Sequence, residues 1–390
     1  MSQILKNTSI YTLGRILPQL AGFILLPLYT KYLSPDDYGI VQSLQTISAI
    51  LIIFFSLATE RSMARLYFDY KTVTDQRNLV GNGNILIFTV ATVFLGLVFL
   101  FKNQVSQVYS SIDFHPYYTY AILNAYILTF TNIPRIVLQV KEKAGIFLWS
   151  SLAQFIAGVV FILWFVVYRN EGAAGMLKGQ LIGTIVIFPW FLYLIIKQSR
   201  FKFNLKKISA IFFYSIPLVP MLLFSWVNNL SDRIFIEQYF NLHDVGIYSL
   251  GYKIAGMTLL ITGSFYAAYS PIFYRIANDS EVSDPKGKLK QYNLTYILIV
   301  LFLNFSIAFV AREMILLFLD SKYADAWVIV NIICFANIIG GISGLFNLMI
   351  YQQKKTVSMM IIVMISAMVN VGMNFILIPK VGYIGAAIVT

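Results

Sequence analysis

Long apolar segments alternate with short polar ones along the whole 390-residue chain. Each apolar run is about 20 residues long, which is the length that a helix needs to cross a hydrocarbon core of roughly 30 Å. Because a backbone in lipid must satisfy its own hydrogen bonds, such runs predict membrane-spanning helices. The predicted spans are residues 10–33, 38–59, 80–101, 116–136, 146–168, 174–196, 208–230, 245–269, 292–311, 326–350 and 355–379, with a twelfth that begins near Gly382.

Two short motifs occur twice in the chain. The segment Tyr32–Ile40 (YLSPDDYGI) aligns without a gap with Tyr239–Ile247 (YFNLHDVGI), and Gly172–Gly175 aligns with Gly382–Gly385 at nearly the same offset. Two pairs at a shared offset indicate a chain duplicated in halves, which is typical of transporters. Because six predicted spans separate the copies, both halves would enter the membrane in the same direction.

These patterns together predict an all-α polytopic membrane protein with two parallel-repeat six-helix lobes. The N-terminal lobe would be residues 1–200, with helices one to six, and the C-terminal lobe residues 201–390, with helices seven to twelve. By the repeat, the last helix should continue beyond Thr390, so we expect the chain to be truncated within helix twelve. The N-terminal segment lacks a small-residue cleavage site, which favours a retained first helix over a signal peptide.

Composition and charge support this class of protein. The chain is 58% hydrophobic and 12% charged, whereas about 25% of residues are charged in soluble domains. With the N-terminus in the cytoplasm, most of the 29 lysines and arginines fall on the cytoplasmic side, as the positive-inside rule requires. The net charge of +12 then faces anionic lipid headgroups and implies no nucleic acid. Cys334, the single cysteine, excludes an intramolecular disulfide.

Three cations, Arg15, Lys178 and Lys253, fall inside predicted spans, where a charge at the helix centre costs about 2.5–3.5 kcal/mol. Lys178 is close enough to its helix end to extend its ammonium group to the interface. Lys253 lies about 12 Å in, at 1.5 Å per residue. Further polar side chains share the helix faces of Arg15 and Lys253 or form a stripe on the second span: Gln19, Gln45 and Ser249. Plain helix packing is the alternative for the small polar residues, but buried cations suit a phosphate or pyrophosphate ligand.

A second group of polar residues contains an acid. Asp232 lies toward the outer end of the seventh span, Asn370 and Asn374 are four apart on the eleventh, and Thr390 would lie on the twelfth. Carboxylate, amide and hydroxyl oxygens are the ligands that a hard cation such as sodium prefers. The alternative is an ion pair between Asp232 and Arg233 at the membrane interface, with amides that bond neighbouring helices. We expect no cofactor and no other metal site, and either Na⁺ or H⁺ as a coupling ion.

Three segments resemble a known transporter family: Lys6–Arg15 (KNTSIYTLGR), Leu26–Ile40 (LPLYTKYLSPDDYGI) and Asn374–Thr390 (NFILIPKVGYIGAAIVT). They are similar to the polysaccharide transporter family of Wzx-type lipid-linked oligosaccharide flippases. This family belongs to the MOP superfamily, with the MATE exporters and the lipid II flippases. The resemblance implies two lobes with an alternating-access cavity, and translocation of undecaprenyl-diphosphate-linked oligosaccharide across the bacterial cytoplasmic membrane. The cargo would be a repeat unit of O-antigen, capsule or exopolysaccharide.

The resemblance also implies roles for individual residues. Arg15 and Lys253 stand where lipid II flippases have diphosphate-binding arginines on the first and eighth helices, while the second helix has Gln45 and no cation. A sodium site in the same superfamily has counterparts here: Asp232, Asn370, Asn374 and Thr390. Asn374 replaces a carboxylate of that site.

The implied partners are a lipid-linked oligosaccharide, membrane lipids, and the polymerase and glycosyltransferases of a polysaccharide pathway. The alternatives are a MATE-like ion-coupled exporter, which would favour deep acids, and a lipid II flippase. An enzyme is disfavoured because the two histidines, His115 and His243, fall in separate predicted loops.

Overall fold

The computed structural model describes residues 2–278, 284–353 and 355–390. A few side chains within these ranges lie outside the described part: those of residues 2–9, 12, 15, 278 and 356. In these ranges the regular secondary structure is helical throughout. Among the described residues, ten helices are long and apolar enough to cross a membrane. The prediction of an all-α polytopic membrane protein is therefore confirmed.

The helices follow the predicted spans in order, and we number them α1 to α12. Their bounds are α1, Ser2–Ile24 and Leu26–Tyr32; α2, Pro35–Ser56; α3, Val73–Leu100; α4, Thr119–Thr129 and Asn132–Val140; α5, Ala144–Leu163; α6, Gly172–Gln198; α7, Leu205–Ser215 and Val219–Leu230; α8, Leu242–Ala255 and Met257–Asn278; α9, Pro285–Phe318; α10, Ala326–Gln352; α11, Thr356–Val381; and α12, Tyr383–Val389. A short helix, Asp232–Tyr239, lies between α7 and α8.

The chain divides into two compact units. The first contains Met1–Leu25 and Tyr32–Trp226, and the second contains Leu26–Lys31 and Val227–Thr390. The chain passes into the second unit after Leu25, where α1 is interrupted, returns to the first at Tyr32, and crosses again within α7. The lobes assigned from the repeat, residues 1–200 and 201–390, stay a prediction about the duplicated halves.

In the first unit, the two motifs that the sequence repeats contact each other. Ser34 caps the N-terminus of α2 and forms a capping box with Asp37. The Asp37 Oδ1 atom accepts a hydrogen bond of 3.0 Å from the backbone N–H of Ala173, in the first turn of α6. Gly172 has a φ of +53°, and a Cβ atom there would lie 2.8 Å from Asp37 Oδ1. The repeated aspartate and glycine thus join α2 to α6.

The second copies of these motifs also stand at helix ends. The Asn241 side chain caps α8 by accepting a hydrogen bond of 2.9 Å from the backbone N–H of Asp244. Gly382 has a φ of +70° and separates α11 from α12. Glycine suits both Gly172 and Gly382 because a residue without Cβ adopts positive φ at little cost.

The segment between α6 and α7 is anchored to α3. Asn82 donates a hydrogen bond of 3.0 Å to the Lys202 carbonyl and accepts one of 2.8 Å from the Asn204 backbone N–H. Lys207, in the first turn of α7, forms an ion pair of 3.1 Å with Asp75 in the first turn of α3. These bonds satisfy polar groups at a helix end and hold the first half of α7 in the first unit.

Replacing Gly81 with alanine is expected to destabilise this anchor. A Cβ atom at Gly81 would lie 2.3 Å from the Arg200 carbonyl oxygen, a backbone atom that cannot rotate away. Overpacking of this kind costs about 1–3 kcal/mol, so the melting temperature of the purified protein in detergent should fall. Gly96→Ala is the control, because the same helix leaves open space around Gly96. Equal melting temperatures for the two variants would contradict the close approach.

Candidate functional site

Asp232 is the centre of a buried polar cluster in the second unit. Its Oδ1 atom accepts hydrogen bonds from the Arg233 guanidinium at 2.8 Å and from the Arg233 backbone N–H at 2.9 Å. Its Oδ2 atom accepts a hydrogen bond from the Tyr248 hydroxyl, which α8 contributes. The Asp232 and Arg233 side chains are only 4% and 6% exposed. A buried ion pair persists only where additional hydrogen bonds satisfy it, and this one has them.

Aromatic rings complete the surroundings of Arg233. Its guanidinium carbon lies 5.4 Å from the ring centroid of Tyr248 and 4.9 Å from that of Tyr252. The guanidinium also donates a hydrogen bond of 3.0 Å to the Asn229 carbonyl. Cation–π contacts stabilise a charge most strongly where water is excluded. Arg233 is therefore held by a carboxylate, a carbonyl and two aromatic faces.

Tyr248 links the acid to the last described residue. Its hydroxyl lies 3.5 Å from Thr390 Oγ1, which donates a hydrogen bond of 3.1 Å to the Ala386 carbonyl. The structure thus brings Asp232 and Thr390 together through Tyr248, which is not among the residues predicted for this site. The sequence repeat contains a signal for Tyr248, because the first copy has the apolar Val41 at the equivalent position.

The two predicted amides form a pair on α11. Asn374 is fully buried and donates a hydrogen bond of 3.0 Å to Asn370 Oδ1. Asn374 Oδ1 is also buried, and it has no hydrogen-bond partner among the described residues. A buried acceptor without a partner costs about 1–3 kcal/mol. The helix Asp232–Tyr239 packs against α11 and α12, so the acid and the amides belong to adjacent helices.

The oxygen atoms of this cluster are of the kinds that bind a sodium ion. The unpaired oxygen of Asn374 is a neutral oxygen ligand. Asp232 Oδ1 already accepts two hydrogen bonds, whereas Asp232 Oδ2 accepts one and retains lone-pair capacity. The guanidinium of Arg233 weakens the attraction of this cluster for sodium, because its positive charge already neutralises Asp232. The ion pair that was the alternative for this region is therefore present, and it is buried.

The predicted phosphate-binding residues lie in different parts of the chain. Lys253 is partly buried in the last turn of Leu242–Ala255, and no described carboxylate lies within ion-pair distance of it. Ser249, one turn earlier, is buried with an Oγ atom that lacks a partner in the described ranges. Gln19 on α1 and Gln45 on α2 have exposed side chains. Arg15 lies outside the described side chains, so its role stays a prediction.

Lys178 has a local partner. Its Nζ atom lies 3.1 Å from Glu171 Oε2 and 4.3 Å from the ring centroid of Phe165. Glu171 immediately precedes α6, so the pair lies at the end of that helix. The pair explains how this cation is accommodated without a ligand.

Arg135 is a partly buried cation that is not among the residues predicted to bind a ligand. It donates a hydrogen bond to Gln154 Oε1, and its guanidinium carbon lies 5.2 Å from the ring centroid of Phe191. Its Nε atom is buried and has no hydrogen-bond partner in the described part of the chain. Only the packing of α4 against α5 and α6 identifies this environment.

The fold is that of membrane transporters of known structure. A lipid II flippase, MurJ, in an inward closed conformation matches with a TM-score of 0.79 at 16% identity, over 97% of this chain and 84% of that one. An inward-facing multidrug resistance MATE family transporter of the MOP superfamily matches with a TM-score of 0.75 at 13% identity, over 98% of this chain and 92% of that one. At these identities the likeness defines the fold alone.

Sequence comparison identifies the family. Residues 4–277 match the family described as "Polysaccharide biosynthesis protein", and the chain belongs to this family. A relative from Haemophilus influenzae, "Lsg locus putative protein 1", is 26% identical over 70% of this chain, which spans just under two thirds (66%) of that protein. "Capsular polysaccharide biosynthesis protein CapF" of Staphylococcus aureus is 22% identical over 99% of this chain and 95% of its own length. The comparisons thus place the chain in a polysaccharide biosynthesis family and give it a fold that membrane transporters of known structure share.

Replacing Tyr248 with phenylalanine is expected to weaken the buried pair. The change removes the hydroxyl that donates to Asp232 but keeps the ring beside Arg233. Hydrogen bonds to charged groups contribute about 1.5–3 kcal/mol, so the free energy of unfolding should fall by that amount. Tyr252→Phe is the matched control, since its ring also contacts Arg233 but its hydroxyl does not bond to Asp232. Equal losses in the two variants, measured by thermal unfolding, would refute the role of the Tyr248 hydroxyl.

Proposed function

We propose that this protein is a flippase that translocates undecaprenyl-diphosphate-linked oligosaccharide across the bacterial cytoplasmic membrane, with its N-terminus in the cytoplasm. The observation that carries the proposal is the combination of family and fold. The chain belongs to a polysaccharide biosynthesis family, and 97% of it matches the fold of a lipid II flippase. A protein that serves polysaccharide assembly and has a transporter fold is best explained as a carrier of the lipid-linked precursor.

The cations give the proposed binding chemistry. Lys253 is partly buried and has no described carboxylate partner, so its charge is available for the diphosphate. Arg15 would supply a second charge, and the Ser249 hydroxyl, four residues from Lys253, would donate a hydrogen bond. Gln19 and Gln45 can donate and accept hydrogen bonds, as sugar hydroxyls require. Alternating access would expose these groups to one side of the membrane at a time.

A MATE-like exporter is the second candidate, favoured by the likeness to a multidrug transporter. Cationic drugs would need an acid whose charge is free. The buried acid Asp232 instead pairs with Arg233 at 2.8 Å, and a side chain that is only 4% exposed is out of reach of a bulky organic cation. A lipid II flippase would bind a diphosphate by the same chemistry. The resemblance to lipid II flippases implies a diphosphate-binding cation on the second helix, and this chain has Gln45 there instead.

Sodium is the coupling ion that we propose. Asp232, Asn370, Asn374 and Thr390 would hold it, with Asn374 Oδ1 as the ligand that has no other partner in the described ranges. Membrane lipids would surround the protein, and a polysaccharide polymerase and glycosyltransferases would act after and before it.

Loss of the deep cations should abolish transport without preventing insertion. Lys253→Ala and Arg15→Ala are expected to fail to complement a strain that lacks its polysaccharide flippase, because the diphosphate loses its counter-charge. Lys253→Arg should retain partial function. Lys178→Ala is the control, because that cation is already paired with Glu171. Full complementation by Lys253→Ala and Arg15→Ala, at wild-type levels of protein in the membrane, would reject the cationic mechanism.

Sodium binding is expected to raise thermal stability. A ligand present at 100 times its Kd stabilises a protein by about 2.7 kcal/mol, so the protein should melt higher in sodium chloride than in choline chloride. Asn374→Leu should remove this increment. Asn304→Leu is the matched control, since Asn304 is likewise buried with an Oδ1 atom that has no described partner, but it lies on α9. Identical melting of the wild type in the two salts would exclude a sodium site, and an increment kept by Asn374→Leu would exclude this one.

A further inference from the structure

Helix α8 is interrupted close to Lys253, the cation of the proposed diphosphate site. Its first half, Leu242–Ala255, ends two residues after Lys253, and its second half begins after Gly256. Across this interruption the Leu259 backbone N–H donates a hydrogen bond of 3.1 Å to the Gly256 carbonyl. In a regular helix this N–H would donate to Ala255 instead, because each N–H bonds the carbonyl four residues before it. The backbone bonding therefore changes directly after Lys253.

Two side chains satisfy the Ala255 carbonyl at this interruption. The Thr258 hydroxyl donates a hydrogen bond of 2.9 Å to it, and the Asn337 Nδ2 atom of α10 donates one of 3.2 Å. Asn337 Nδ2 also donates a hydrogen bond of 3.1 Å to Thr258 Oγ1. Because Ala255 and Thr258 are fully buried, an unsatisfied carbonyl there would be costly. The two side chains therefore stabilise the interrupted form of α8.

The first half of α8 is held against α10 on both sides of Lys253. One turn before Ala255, a Cβ atom at Gly251 would lie 2.7 Å from the Ala326 carbonyl oxygen, so the two backbones approach closely there. The Asn337 bond to Ala255 then joins the same helices across 82 residues of sequence. Lys253 lies between these two points, so contacts with α10 fix the backbone that carries it.

We propose that Asn337 is a positioning residue for Lys253 in diphosphate binding. No described carboxylate lies within ion-pair distance of Lys253, so the backbone beneath the side chain determines where its ammonium group reaches. Without the Asn337 amide, the Ala255 carbonyl loses one of its two side-chain donors, and the interrupted form of α8 loses its bond to α10. The inference rests on the proposed function, because it concerns the ligand of Lys253.

Binding of undecaprenyl diphosphate to the purified full chain in detergent, measured by native mass spectrometry, tests the role of Asn337. We expect Lys253→Ala to weaken binding about tenfold or more, because a charged hydrogen-bond donor is lost. Asn337→Leu should weaken it about fivefold, as expected for a residue that acts through another. Asn304→Leu is the matched control, since the Asn304 amide donates to the Val300 carbonyl within its own helix. This control should bind as the wild type does.

The double variant Lys253→Ala/Asn337→Leu separates positioning from a general structural effect. It should bind as weakly as Lys253→Ala alone, because a residue that acts through Lys253 has no further effect once that side chain is removed. An additional loss in the double variant would overturn the inference, since Asn337 would then act independently of Lys253.

The same measurement distinguishes failure of this inference from failure of the proposed function. Unchanged binding in Asn337→Leu, together with a loss in Lys253→Ala, would overturn the positioning role alone. Unchanged binding in Lys253→Ala would overturn the cationic mechanism and this inference with it. Should Asn337→Leu fail to fold, Thr258→Val takes its place, because it removes the other donor to Ala255. Thr258→Val should then weaken binding only where Lys253 is present, whereas Thr262→Val, which removes a hydroxyl bonded within α8, should not weaken it.

Discussion

The structure depends on one constraint: inside a bilayer, polar groups must find their partners within the protein. The constraint explains why the described chain is helical and why its helix ends are capped by side chains such as Ser34 and Asn241. It also explains the surroundings of Asp232. Both oxygens of that buried carboxylate accept hydrogen bonds, and the neighbouring Arg233 is covered by two tyrosine rings. Removing any one of these partners would leave a charge or a donor unsatisfied in a medium without water.

The same constraint explains the role of the repeated motifs, which satisfy polar backbone groups at helix ends. In the first unit, Asp37 caps its own helix and also accepts a hydrogen bond from Ala173 at the start of α6, next to Gly172. One carboxylate thereby serves two helix ends. Where the copies differ, the chemistry differs: Tyr248 stands where the first copy has Val41, and it donates the bond that holds Asp232. The two copies therefore share a side-chain cap at a helix N-terminus and differ in the polar groups that follow it.

Much of the fold could be predicted from sequence, because span length and continuous hydrophobicity are properties of single segments. The helix ends were less accurate: α9 extends over Pro285–Phe318, well beyond the predicted 292–311, since polar turns continue the helix outside the apolar run. Within the candidate site, spacing selected Asp232, Asn370 and Asn374, which the fold buries, and their role stays a prediction. Tyr248 and Arg135 were missed because their environments depend on contacts between distant helices, which no local pattern contains.

The presence or absence of a carboxylate partner distinguishes structural cations from candidate ligand-binding cations in this protein. Their depth within the membrane spans distinguishes them less well. Where a cation has a structural role, a carboxylate lies within ion-pair distance of it, as with Lys178 and Glu171 or Lys207 and Asp75. Lys253 has no such partner in the described ranges, although Lys253 and Lys178 both lie within spans. A charge that the fold keeps partly buried and leaves without a counter-charge costs stability in the empty protein. That cost is recovered when an anion binds, so the unpaired cations are the positions at which a phosphate-bearing ligand would gain the most.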